Sequence, residues 1–159
     1  MNTSALVDVG VRVFAFHEAG HGCVATARGV QVRCVAVDDV AAPELGRVVT
    51  RQKFGLIPCE DLVLFFLAGG VAQERYMRSV GLSDHDHGDA TDVADARILL
   101  TEPGDHRYSA AVDRELAVWR RRTELAVAEH WNWIHRVADQ LVSRRWLSGD
   151  DIVHLRRGV

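Results

Sequence analysis

The chain has 159 residues, 48% of them hydrophobic and 26% charged, with a net charge of −3 at pH 7. That is the composition of one globular domain, long enough to bury roughly 70% of its unfolded surface without disulfides. The acidic balance gives no reason to expect nucleic acid, and the longest apolar stretch, Leu62 to Ala72, falls short of the ~20 residues of a membrane span. Met1-Asn2-Thr3-Ser4 has no signal-peptide pattern, so the expected compartment is cytoplasmic. Cys23, Cys34 and Cys59 form no C-x-x-C pair and read as reduced, partly buried small hydrophobes.

In chain order, Val13, Phe16, Ala19, Cys23 and Ala27 recur at helical spacing and Gly29 supplies a stop, which predicts a first helix over 11–28. The β-branched stretch from Val30 to Thr50, interrupted at Ala42-Pro43-Glu44, predicts two strands. Pro58 opens a second helix over roughly 59–78, with Leu62, Phe65, Phe66, Ala72 and Tyr76 as its core face. An acidic, histidine-bearing loop, Ser83 to Gly88, precedes a third helix over about 90–100, stopped by Pro103-Gly104.

No glycine or proline occurs between Tyr108 and Trp146, which predicts one long helix or two nearly continuous ones. Its buried stripe is expected at Leu116, Trp119, Leu125, Ala128, Trp131, Ile134, Ala138 and Leu141, with Trp146 also in the core and Arg120-Arg121-Arg122 on the solvated face. Ser148 should N-cap a last short helix with Asp150 and Asp151 in its first turn. The expected fold class is mainly α (α+β), one domain over 1–159, with a small sheet or hairpin between the first two helices and a long C-terminal helical tail.

His17-Glu18-Ala19-Gly20-His21 is an H-E-x-x-H pattern on the first helix. Eight His and eight Glu among 159 residues would generate it by chance about 0.02 times. Residues four apart share a helix face, so His17 and His21 are positioned to hold one Zn²⁺. Glu18 beside them is the candidate general base for a water acidified by the metal. A catalytic zinc needs a third protein ligand, and Ala27 stands where a metzincin would carry it. The candidates farther along are Glu74, His85, Asp86, His87, Asp89 and Asp92.

Three blocks together resemble the peptidase domain of the FtsH-type ATP-dependent zinc metalloproteases: His17 to Gly22, Leu67-Ala68-Gly69-Gly70-Val71-Ala72-Gln73-Glu74, and Gly88 to Arg97. The family's blocks read HEAGHA, roughly GGxAAEE, and G-A-x-x-D-[LIF]-x-x-A, and the aspartate of the last is its third zinc ligand. Matched by position, the resemblance implies Asp92 as that ligand, with Asp86 as the alternative register and Glu74 in a structural or supporting role. It further implies a zincin-like helical fold and a zinc-dependent endopeptidase. The segment Leu45 to Val49 is similar to the family's edge strand, so Gly46, Arg47, Val48 and Val49 are the implied substrate-binding residues.

Gly69 and Gly70 each cost about 1 kcal/mol relative to alanine inside a helix, which predicts close packing against the first helix, met from the other side by Gly20 and Gly22. The chain contains no G-x-x-x-x-G-K-[ST] loop. The expected substrate is therefore a peptide or unfolded protein segment, with a separate ATPase or regulatory protein and a homo-oligomer as further candidate partners. Two rival functions remain open at this level: a catalytically silent binding or regulatory module, and a zinc hydrolase acting on a small amide.

Overall fold

Helix α1, Thr3–Ala27, is buried from Val11 to Ala25 except at Arg12 and Phe14, and so is the axis around which the other elements assemble. The computed structural model describes residues 3–37, 46–82, 90–104 and 106–158. After α1 come strand β1 (Val32–Val37), strand β2 (Gly46–Thr50), a 3-10 turn (Phe54–Leu56) and helix α2 (Cys59–Ser79). Helices α3 (Ala90–Leu99), α4 (Ala110–Glu129) and α5 (Trp131–Arg144), strand β3 (Trp146–Ser148) and helix α6 (Gly149–Arg156) complete the order. The mainly helical class with a small sheet is as the sequence predicts.

Helix α2 packs against α1 along most of its length, and α5 covers another side of α1. The approach of α1 to α2 is close because both surfaces are built from small residues: a Cβ at Gly20 would stand 2.5 Å from the Ala68 carbonyl oxygen and 2.7 Å from the Ala72 methyl. A one-sided core face understates α2, because every residue from Asp61 to Gln73 except Phe66 is buried. Asp61, the charged member of that run, is paired with Arg28 Nε at 2.6 Å, which satisfies a carboxylate that burial would otherwise penalise.

The sheet is three-stranded and antiparallel, in the order β2-β1-β3. The third strand is absent from the sequence reading. It forms because Arg145 adopts a left-handed conformation at φ 62° and ends α5, turning the chain so that Val35 pairs with Leu147 and Ala36 with Trp146. Period-two alternation then sends Leu147 into the core and leaves Trp146 half exposed, which corrects its expected burial. Gly22, expected to face α2, instead faces the sheet, where its Cβ would lie 2.7 Å from Val35 Cγ2.

The tail is two helices broken at His130, whose backbone lies at φ −101°, ψ 11°. Leu125 and Ala128 are exposed, and Val112, Trp119, Thr123 and Val127 form the buried face of α4. A single stripe carried across the break is therefore out of phase in α4, because α4 packs on α2 while α5 packs on α1. Cys23 is buried, Cys34 half-buried and Cys59 exposed, so the third cysteine departs from its expected burial. Burial pushes the Cys23 thiol well above its usual pKa, against the smaller opposing effects of Arg136 and Arg156. Among the described residues no helix is long and apolar enough to cross a membrane.

Candidate metal centre

His17 and His21 lie one turn apart on the face of α1 turned toward α2, and both are buried. Their rings meet edge to face, with centroids 4.6 Å apart. Asp92, in the first turn of α3, reaches the same point: its Oδ2 lies 3.0 Å from His17 Nε2 and 3.3 Å from His21 Nε2, and the two Nε2 atoms are 3.0 Å apart. Placing a carboxylate in that first turn is favourable for the helix itself, since it meets the positive end of the helix dipole.

The second nitrogen of each ring is also held. His21 Nδ1 is 2.6 Å from the Phe65 carbonyl oxygen, which can only accept, so Nδ1 carries the proton and the Nε2 lone pair turns toward Asp92. His17 Nδ1 donates to Gln73 Oε1 at 3.0 Å, with the same consequence. Two lone pairs and a carboxylate oxygen thus converge, an arrangement that repels itself unless a cation lies between them. In a tetrahedral zinc site with bonds of ~2.0–2.1 Å, neighbouring ligand atoms stand about 3.3 Å apart, so the observed triangle is close to the size such an ion requires. With protons on the two Nε2 atoms in place of an ion, burial raises the pKa of Asp92, but hydrogen bonds and charge from His17 and His21 outweigh it and hold the carboxyl well below the usual carboxylate range.

Glycine makes the geometry feasible. A Cβ at Gly69 would overlap the His21 imidazole, so the ring occupies space that only glycine at that position leaves open. Glu18, next to His17 in α1, is buried at the same level of the helix. Beyond His21, Phe65 lies 4.9 Å away between ring centroids and is joined to Phe54 and Phe66, an aromatic group that walls the centre on one side.

Of the residues singled out in the sequence, His17, His21 and Asp92 are brought together, and among the described residues they are the cluster of this kind. Glu74 is elsewhere engaged: it is paired with Arg120 of α4 and lies 3.6 Å from Arg78. His85, Asp86, His87 and Asp89 lie outside the described residues. Gly46, Arg47, Val48 and Val49 form β2, an outer strand of the sheet. The sequence reading missed Gln73 and the Phe65 carbonyl, the two acceptors that orient the histidines. Gln73 stood inside a motif already quoted, whereas a backbone carbonyl leaves no trace in residue identity. No family model and no curated protein matches this chain.

Proposed function

We propose that the protein is a zinc-dependent endopeptidase of the FtsH-peptidase type, with His17, His21 and Asp92 as zinc ligands and Glu18 as general base and then general acid. The observation that carries this reading is the convergence of Asp92 Oδ2 on the two Nε2 atoms of the H-E-x-x-H pair. Zinc held there would acidify a water toward pKa ~7 and polarise the scissile carbonyl. Glu18 is the group that would accept a proton from the attacking water and give it to the departing amine nitrogen, so that the C–N bond breaks to a free amine and a carboxylic acid.

The outer position of β2 supports a substrate lying extended along Gly46 to Val49, since a strand with a neighbour on one side retains backbone donors and acceptors for an added strand. An extended, unfolded segment is the substrate such an edge accepts. The setting that goes with this reading is cytoplasmic, with a separate ATPase or regulatory protein delivering substrate and a homo-oligomer as the candidate assembly.

The test compares zinc-loaded wild type with Glu18→Gln on an unfolded protein and a peptide library. Cleavage should fall ~10²–10⁴-fold while zinc per chain is unchanged. Full cleavage by the metal-loaded variant would overturn the mechanism, and cleavage confined to small amides would replace the endopeptidase with a small-amide hydrolase.

A further inference from the structure

We infer that Gln73 is the positioning residue that sets the tautomer of His17, and through it the affinity of the site for its metal. The inference rests on the zinc reading above. The two histidines are oriented by chemically different partners. His21 Nδ1 faces a backbone carbonyl, which has only lone pairs to offer, so its tautomer is fixed. His17 Nδ1 faces a carboxamide that is only 3% exposed and carries an acceptor at one end and a donor at the other.

With Oε1 toward the ring, as in this structure, the proton sits on Nδ1 and the Nε2 lone pair points at the metal position. With the amide turned, its NH₂ would require an unprotonated Nδ1. The proton would then sit on Nε2, 3.0 Å from Asp92 Oδ2, where it makes a good hydrogen bond without any metal. Gln73 therefore stands at the choice between a metal-ready and a metal-free His17. A partner that only accepts would remove the choice, and one that neither accepts nor donates would leave the ring unheld. The GGxAAEE pattern of the resembled family carries alanine at this place, so the device belongs to this chain's own residues.

The test measures zinc affinity, by competition with a chromophoric chelator, for wild type, Gln73→Leu and Gln73→Glu, with circular dichroism to compare the folds and the visible spectrum of the cobalt-loaded proteins to compare the ligand sets. Gln73→Leu should bind zinc ~10–100-fold more weakly, and Gln73→Glu more tightly than wild type, because a carboxylate holds the proton on Nδ1. A folded Gln73→Leu with wild-type affinity would overturn the inference. So would a folded Gln73→Glu that binds no more tightly than wild type, and this second comparison decides the matter alone if the leucine variant does not fold. Failure of the wild type to take up zinc would instead overturn the reading of the site on which the inference rests.

Discussion

The imidazole of His21 stands in the volume that a side chain at position 69 would occupy, so a glycine on α2 and a histidine on α1 are two halves of one fit. The ring has no room to retreat, because its Nδ1 is tied to the Phe65 carbonyl oxygen at 2.6 Å. Gly69 thus stands in a helix interior at a local cost and leaves the space that the His21 imidazole fills.

Gly69→Ala weighs these two effects against each other. Helix propensity favours alanine by about 1 kcal/mol, whereas overpacking a tight interior costs about 1–3 kcal/mol. The ring is held in place, so the second effect should win. The expected variant is less stable by urea unfolding and loses most of its zinc by elemental analysis. A stabilised variant with wild-type zinc would contradict the fit.

Asp92 predicts a pH dependence. Its carboxyl is held below the usual range in the folded chain, so its ionisation stabilises the fold above the ordinary aspartate pKa of ~3.9 and ceases to do so as the pH falls toward the lower folded value. In metal-free protein the urea midpoint should therefore drop between pH 5 and pH 3, and drop less in Asp92→Asn. Identical slopes for the two proteins would remove this account. The same variant should fail to retain zinc at neutral pH.

Glu74 ties α2 to α4 through Arg120. Glu74→Gln should cost about 1 kcal/mol for a half-buried charged pair and leave zinc content unchanged. Loss of zinc without loss of stability would make Glu74 a ligand and displace Asp92 from that role.

Ser148 closes α6 with a reciprocal cap: its Oγ accepts from Asp151 N at 3.1 Å, and Asp151 Oδ2 accepts from Ser148 N at 2.8 Å. The Ser148 hydroxyl, donating to Asp151 Oδ2 at 2.6 Å, and then the Ser148 backbone N–H hold the Asp151 carboxyl below its ordinary pKa, so the cap weakens as the pH falls below the usual carboxylate range. Ser148→Ala should cost ~1 kcal/mol and lower Tm by about 2–4 °C. No change in Tm would show that α6 is held by its packing alone, through Ile152 and the hydrogen bond from Trp133 Nε1 to the Ile152 carbonyl at 2.8 Å.

Much of the candidate site is legible in the residues. His17, Glu18 and His21 are within one helical turn, so their mutual placement follows from local geometry. Asp92 came from the resemblance of its block to a family motif, with Asp86 as the alternative register, and its place in a first helical turn agrees with that choice. The orienting acceptors were not reachable in the same way. Gln73 and the Phe65 carbonyl act on rings from another helix, and which residue of α2 meets which ring depends on how deeply two helices interlock.

The misplacements share that cause. Leu125 follows a helical period as regular as that of Thr123, yet the second is buried and the first exposed, because α4 is turned by its contact with α2 and the chain breaks at His130. Gly22 has the same composition signal as Gly20, yet one faces Val35 and the other Ala68. Trp146 reads as core by type and stands on the outer face of a strand that only pairing with β1 creates.

What the sequence by itself determined are the features that act over one turn or one hairpin: α1, α2, α3 and α6, a helical tail left as one helix or two, the strands β1 and β2, the Ser148 cap and the paired histidines of α1. Only the tertiary structure shows that Asp92 lies against those histidines, which glycine makes room for them, which acceptors turn their rings, and that Trp146–Ser148 completes the sheet. The reason is physical: local elements follow from backbone sterics and side-chain period, while the site is assembled from elements far apart in the chain, whose relative depth and rotation are fixed only when the whole core is packed.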